Sequence, residues 1–240
     1  MNDTKWLSRT ELLIGKDNLD KLNNAHVLVV GMGGVGSFAA EFICRAGVGE
    51  MTIIDGDVVD PSNRNRQLPA LATTHGQSKV LLMADRLRQI NPELKLNIIN
   101  EFVMPERVGA MLTGKPDYVA EAIDSITPKL TFIQAAYNSG LKIVSSMGAG
   151  GRMDPTKLHV ADISKSYNCP FAQQVRKQLK GYGIKSGIKV VFSSEVPDKN
   201  SVIHTDGTNF KKSAYGTISY LPAAFGGALA SVVIRDLVAG

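Results

Sequence analysis

Val27-Leu28-Val29-Val30-Gly31-Met32-Gly33-Gly34-Val35-Gly36-Ser37 decides the fold of this chain. Its apolar opening reads as a buried strand, and Gly31, Gly33 and Gly36 punctuate a tight turn into a helix. A strand entering a helix through such a turn presents backbone N–H groups at the helix N-terminus, where phosphate oxygens bind. The additional Gly34 matters, because a backbone without Cβ atoms at Gly33 and Gly34 can lie directly against phosphate. Taken alone, the three glycines fit a nicotinamide, flavin or nucleotide site, or a turn with no ligand.

Outward from the turn, Ile53-Ile54-Asp55-Gly56-Asp57 ends a second strand with a carboxylate. Asp55 stands roughly 20 residues on, where a ribose-hydroxyl acceptor is expected, while Asp57 reads more readily as a turn carboxylate. The cluster Ser62-Asn63-Arg64-Asn65-Arg66-Gln67 follows. A redox dinucleotide has little use for it, whereas a nucleoside triphosphate brings roughly four negative charges to hold. Arg66 and Gln67 precede the apolar Leu68, which keeps them near the protein body. Lys79 opens a helix after Gly76, a placement opposed by the helix dipole and explained if its ammonium faces a polyphosphate. Asp124, with Ser125 after it, closes the strand 118–123, and a carboxylate at that end of a parallel strand belongs in the ligand crevice. There it could hold Mg²⁺ between phosphate oxygens, with Thr127 better placed to cap the next helix.

Strand patterns at 26–31, 51–55, 95–100, 117–123 and 142–146 alternate with helical patterns at 34–46, 77–90, 105–113 and 127–139, after an N-terminal helix at 10–24. That alternation predicts an α/β, Rossmann-type, mostly parallel sheet with helices on both faces. Later strands at 158–163 and 188–193 flank a basic helix at 171–180 and extend the sheet, with antiparallel pairing open to them. The expected organisation is one ATP-binding domain over 1–240. Its nucleotide-binding core is 1–150, and 151–240 supplies the sheet extension, basic segment and C-terminal helix. Two long polar loops, 56–76 and 194–215, interrupt the pattern.

The whole chain of 240 residues is 44% hydrophobic and 20% charged, an ordinary soluble composition. With two cysteines, Cys44 and Cys169, it supports neither a disulfide framework nor a four-cysteine zinc site. The histidines His26, His75, His159 and His204 show no ligand spacing. The N-terminal residues lack an apolar secretory core, so a cytoplasmic protein is expected. The apolar run from Thr217 is broken by Pro222, Gly226-Gly227, Arg235 and Asp236, and reads as a helix packed on the sheet in preference to a membrane span. Between Ile163 and Ser194 lie Lys165, Arg176, Lys177, Lys180, Lys185 and Lys189 without a single carboxylate, more positive charge than the net +5 of the whole chain. Such a local excess suits either a solvated helix face or an anionic partner larger than a nucleotide. Cys169 sits within it, ahead of Pro170 and a helix start, surroundings that lower a thiol pKa. It reads as a nucleophile, a sulfur acceptor or simply a small residue, and Cys44 as core. The run Gly148-Ala149-Gly150-Gly151 either admits a substrate closely or only turns the chain.

Together, Gly31 to Gly36, Asp55-Gly56-Asp57, Ser62 to Gln67, Gly76-Gln77-Ser78-Lys79 and Ile123-Asp124-Ser125 resemble the ubiquitin-activating-enzyme-like adenylating superfamily. The resemblance implies ATP and Mg²⁺ as cofactors and a carboxylate that attacks the α-phosphate, giving an acyl adenylate and pyrophosphate. It implies catalytic roles for Arg66, Lys79 and Asp124, the last on the metal. Cofactor contacts are implied for Gly31, Gly33, Gly34, Gly36, Asp55, Asp57, Ser62, Asn63, Arg66, Gln67, Lys79, Asp124 and Ser125. Arg9 resembles an N-terminal arginine that reaches a neighbouring subunit's site, which implies a homodimer, although Trp6 stands where a further arginine is expected. Within the superfamily, Arg9-Thr10-Glu11-Leu12-Leu13-Ile14-Gly15, Gly148 to Pro155, Cys169-Pro170-Phe171-Ala172 and Val191 to Glu195 are similar to the tRNA threonylcarbamoyladenosine dehydratase family. Its substrate would be tRNA bearing that nucleoside, and the basic segment agrees, since tRNA needs phosphate contacts. The nucleophile and electrophile then belong to one substrate, and no protein nucleophile is required. The alternatives are adenylation of the C-terminal glycine of a ubiquitin-like sulfur carrier, whose activators usually carry zinc-binding Cys-x-x-Cys pairs, and a nicotinamide-dependent oxidoreductase. A cysteine-desulfurase-type or sulfur-acceptor partner beside Cys169 stays open.

Overall fold

The computed structural model describes residues 4–204 and 213–239. Strand β1 (His26–Val30) is an interior strand of a seven-stranded sheet. Val27 to Val30 are fully buried, as a strand covered on both faces requires. It pairs in parallel with β2 (Glu50–Ile54) on one side and β4 (Tyr118–Glu121) on the other, so that Val30 aligns with both Ile54 and Glu121. The chain reaches β2 through α3 (Gly36–Arg45), continues through α4 (Lys79–Ile90) to the edge strand β3 (Lys95–Ile99), and crosses back past the short α5 (Val108–Met111) to β4. From β4 it builds outward the other way, through α6 (Ile126–Asn138) to β5 (Lys142–Ser146). The strand order therefore reverses between β1 and β4, the position where an open α/β sheet leaves a crevice at its carboxyl ends.

Beyond residue 150 the sheet continues, as the alternation predicts. Strand β6 (Leu158–Asp162) runs antiparallel at the edge, and α7 (Pro170–Gly181) leads to β7 (Lys189–Ser193), which inserts between β5 and β6. A small antiparallel pair, β8 (Val202–His204) and β9 (Ser213–Tyr215), stands apart, and α8 (Tyr220–Ala239) follows it. The expected loop 194–215 includes Asp206 and Gly207, which lie outside the described residues.

Alternation along β1 sorts the core into two layers. Val27 and Val29 face a cluster with Ile43 of α3, Met83 of α4, and Phe225 and Val233 of α8. Leu28 and Val30 face the other cluster, with Phe132 of α6 and Val175 and Leu179 of α7. α8 is long and apolar enough to cross a membrane, yet nearly half of it is buried inside the molecule. The packing of Phe225 and Val233 accounts for its apolar character, in line with the reading of a helix on the sheet.

Three expected elements differ in detail. The N-terminal helix is divided at Gly15 into α1 (Ser8–Ile14) and α2 (Lys16–Asn24). The segment 105–113 keeps only one turn of α-helix after a 3₁₀ turn opened by Pro105. α6 begins at Ile126 with Ser125 as its N-cap, so Thr127 lies inside the helix and does not cap it.

Gly36 has a structural duty that the turn motif does not reveal. A Cβ there would lie 1.7 Å from the Gly31 carbonyl oxygen, so the first turn of α3 can approach β1 only without a side chain. Gly36→Ala is expected to destabilise the fold by at least about 1–3 kcal/mol, the range for overpacked sites. Urea unfolding should show a lowered midpoint at an unchanged slope.

Candidate functional site

A cleft of about 780 Å³ opens at the carboxyl ends of β1, β2, β4 and β5. Its first wall is the glycine turn. Gly31 adopts φ +89°, a conformation suited to glycine, and a Cβ there would meet the Ala122 carbonyl oxygen at 2.9 Å. Asp55 locks this turn: one carboxylate oxygen accepts from Met32 N at 2.6 Å and the other from Asp57 N at 2.7 Å. Burial pushes the Asp55 pKa up, against the Lys79 ammonium and the two backbone donors. Asp55 thus organises the backbone that faces a ligand, and each oxygen keeps acceptor capacity for a hydroxyl.

The polar segment after Asp57 is ordered by its own hydrogen bonds. Asp60 accepts from Ser62 N at 2.8 Å, and the Asn63 side chain accepts from Asp60 N at 3.1 Å, a reciprocal cap that makes a 3₁₀ turn of 61–63. The turn holds Arg66, whose Nη1 donates to the Ser62 carbonyl and to Asn65 Oδ1, both at 2.9 Å. Burial in the cleft lowers the Arg66 pKa, opposed by the charges of Asp124 and Asp60. Lys79, the first residue of α4, is buried and pairs through Nζ with Asp57 at 3.0 Å. It is a lysine drawn into the cleft wall, where its own helix dipole opposes it. Asp124 and Ser125 line the same cleft, with Asp124 exposed at its mouth. Gly33, Gly34, Asp57, Ser62, Asn63 and Gln67 line it as well.

The C-terminal helix completes this wall. Pro222 of α8 lines the cleft, and a Cβ on Gly34 would meet the Pro222 ring at 3.0 Å. Four residues on, a Cβ on Gly226 would lie 2.6 Å from the Val35 carbonyl oxygen. α8 and the glycine turn therefore approach at backbone distance.

Beneath the cleft floor lies a pair of buried charges that sequence reasoning passes over. Glu121 of β4 and Lys129 of α6 are both fully buried and form an ion pair. Lys129 Nζ also donates to Ser145 Oγ at 3.1 Å and to the Ser146 carbonyl at 2.9 Å. Glu121 accepts from Ile123 N at 2.6 Å, fixing the peptide just ahead of Asp124. Burial pushes the Lys129 pKa down, and Glu121 opposes it. The available signal was a charge inside each of two apolar runs, Val119-Ala120-Glu121-Ala122-Ile123 and Pro128-Lys129-Leu130.

Not every expected residue reaches the cleft. Gly36 does not line it, because its role is the close packing of α3 on β1 described above. Arg9 is exposed on α1 and is not part of the lining. Cys169 is 4% exposed and packs in the core layer with Ala172, Val175 and Phe192, which favours the small-residue reading among the three left open. Cys44 is fully buried as expected, which pushes its thiol up to about 12. Of the six cations between 163 and 194, Lys165, Lys177, Lys180, Lys185 and Lys189 are exposed. Arg176 is tied to the carbonyl and hydroxyl of Ser166, both at 2.6 Å, and Lys189 pairs with Asp236 at 2.6 Å.

The donor set fits a nucleoside triphosphate: bare backbone at Gly33 and Gly34, two cations at Arg66 and Lys79, and an exposed carboxylate at Asp124. Among the described residues, Gln67 Oε1 is a buried polar atom without a partner, on a cleft-lining side chain whose Nε2 borders Gly33. Asp124 also suits Mg²⁺, which is commonly held by one or two carboxylates together with substrate phosphates.

The model of the ThiF family matches residues 7–239. A Bacillus subtilis relative named tRNA threonylcarbamoyladenosine dehydratase is 40% identical over 238 residues, covering 96% of this chain and 94% of the relative. The crystal structure of E. coli tRNA N6-threonylcarbamoyladenosine dehydratase, TcdA, in complex with ATP superposes with a TM-score of 0.90 at 34% identity, covering 98% of this chain and 95% of that one. Its complex with AMP superposes with a TM-score of 0.88 over the same shares of the two chains.

Proposed function

The chain belongs to the ThiF family, and from that premise we infer that it adenylates threonylcarbamoyladenosine in tRNA with ATP and closes the product to the cyclic nucleoside. The observation that carries this reading is the convergence of Gly33, Gly34, Arg66, Lys79 and Asp124 on one cleft at the point where strand order reverses. The relatives matched along almost the whole chain carry the same activity in their names, and one of them was solved with ATP and with AMP. Adenylation of a sulfur carrier fits less well. This chain has no Cys-x-x-Cys pair, and the thiol of Cys169 is buried.

In the proposed reaction the threonine carboxylate attacks the α-phosphate, and pyrophosphate leaves. The carbamoyl group of the same side chain then closes on the acyl carbon, and AMP leaves. Water is lost overall, its elements passing to the phosphates. The protein has to position the two substrates and stabilise charge at phosphorus. Gly33 and Gly34 allow the phosphates close to the backbone. Arg66 and Lys79 oppose the charge that builds on the transferring group, and Asp55 holds the turn that receives it. Mg²⁺ would sit on Asp124 and neutralise phosphate charge.

The test is ATP–pyrophosphate exchange with tRNA carrying threonylcarbamoyladenosine, with unmodified tRNA and without tRNA. Exchange confined to the modified tRNA is the expected outcome. Exchange independent of the modification, or none while ATP still binds, would sink the assignment.

The exposed lysines Lys165, Lys177, Lys180 and Lys185 support tRNA as the anionic partner. The substrate pair, tRNA and ATP, supports the expectation of a cytoplasmic enzyme. Direct pairing of β7 with β5 supports reading the chain as one adenylating domain. A homodimer is also proposed: Leu12 and Leu13 are 81% and 85% exposed on α1, beside Arg9. Leu12→Asp with Leu13→Asp is expected to yield monomers in sedimentation and to lower exchange, since Arg9 could no longer reach a neighbour's site. Unchanged mass in the variant would remove this surface from the interface.

A further inference from the structure

The cleft changes character along its length. Around the glycine turn and Asp55 it is lined by carboxylates and cations beside Phe102 and Met104, whereas past Ser146 it is lined by Met147, Phe171, Pro197 and Tyr215. In this second half lies Arg152, 4% exposed. Its Nε donates to the Glu195 carbonyl at 2.7 Å and its Nη1 to the Gly148 carbonyl at 2.5 Å, which fixes the plane of the guanidinium. Its Nη2 is buried and has no hydrogen-bond partner among the described residues. A buried donor without a partner is rare, and each instance calls for an explanation.

Gly148 brings this donor and an aromatic ring to one place. A methyl group on Gly148 would rest 3.5 Å from Phe171 Cβ and 3.9 Å from Arg152 Nη1. The half-buried Phe171 ring is supported by the Lys129 ammonium, 5.6 Å from its centroid, and Lys129 is itself anchored to Glu121. The ring and the guanidinium thus both border one side-chain-free backbone position.

We propose that Phe171 and Arg152, flanking Gly148, form the pocket for the modified adenosine: the base stacks on the Phe171 ring, and Arg152 Nη2 donates to a carbonyl oxygen of its acylated side chain. The assignment rests on the dehydratase reading and specifies where that substrate sits. A planar base with a carbonyl-bearing substituent needs one π-face and one donor, and this half of the cleft supplies both. The polyphosphate-binding groups and Asp55 belong to the other half, which leaves this half to the acceptor. Its carboxylate would then meet the α-phosphate where the two halves join, near Asp124 and Ser146.

The test uses Phe171→Leu, which keeps apolar volume but removes the stacking face, and Gly148→Ala, whose methyl enters the gap at ordinary contact distance. Arg152→Lys, which keeps the charge but removes Nη2, is the third variant. Pyrophosphate exchange is measured against modified tRNA and against ATP, with unmodified tRNA as competitor. Loss of one stacked base predicts a rise of about 5- to 150-fold in the KM for modified tRNA in Phe171→Leu. The KM for ATP should stay within about twofold in all three variants, while the inhibition constant of unmodified tRNA, which carries the same base, should rise in Phe171→Leu and stay within about twofold in Arg152→Lys. A tRNA KM unchanged in both Phe171→Leu and Gly148→Ala overturns the pocket. So does an ATP KM that rises in step with it, which would give the ring to the nucleotide. A wild-type enzyme that shows no exchange with modified tRNA overturns the dehydratase reading itself, a distinguishable result.

Discussion

Arg66→Ala is expected to reduce pyrophosphate exchange by about 100- to 1,000-fold, the usual loss when one donor to a developing anion is removed. The guanidinium is not a loosely solvated surface charge. The 61–63 turn, capped by Asp60, orients it, and bonds to the Ser62 carbonyl and Asn65 hold its Nη1. Partial burial keeps water from screening it, so its field on a phosphate is stronger than that of a free arginine. The variant loses both that field and the fixed geometry. Because the side chain lies at the cleft and outside both core clusters, thermal unfolding should be nearly unchanged. Arg66→Lys restores charge without the planar fork and should recover only part of the activity. Exchange within a few-fold of wild type in Arg66→Ala would remove this residue from the catalytic set.

Lys129→Met carries the largest expected effect on stability. The substitution leaves the fully buried Glu121 with its counter-ion removed, and breaking such a pair from one side costs about 3–5 kcal/mol. That is a large share of the roughly 5–15 kcal/mol that holds a domain folded. Adding Glu121→Gln removes the second charge while keeping an oxygen for the Ile123 N–H, and this double variant should regain at least half of the loss. Activity should not return with stability. Lys129 supports the Phe171 ring and ties down the Ser146 carbonyl, and the double variant has neither contact. Urea midpoints and exchange rates measured on the same preparations separate the two effects. Equal recovery of both would mean that the pair serves folding alone.

The glycine turn, the alternating pattern and the gathering of Arg66, Lys79 and Asp124 at one cleft were legible because each is written in local spacing. Gly31 and the end of the next strand lie close in sequence, and the parallel register follows from that connection. The antiparallel edge strand β6 was only a permitted option, since pairing partners are set by contacts distant in sequence. Lys129 was missed because a lysine on a helix ordinarily points to solvent. Only the packing of α6 against β4 and β5 shows that this one is enclosed. Cys169 stayed open among three readings for the converse reason: its neighbours in sequence are cationic, but its neighbours in space are Ala172, Val175 and Phe192. Gly36 was assigned to the ligand because the motif lists it beside Gly33 and Gly34, while backbone crowding explains it fully.

The approach of Pro222 to Gly34 and of Gly226 to Val35 ties nucleotide binding to the timing of synthesis. The glycine turn emerges early from the ribosome, but the wall it leans on is encoded almost two hundred residues later. Until α8 has been made and has docked, Asp55 can lock the turn from within, but the cleft wall that Pro222 supplies is missing. A nascent chain should therefore consume no ATP, and the capacity to bind it should appear only as α8 settles onto α3.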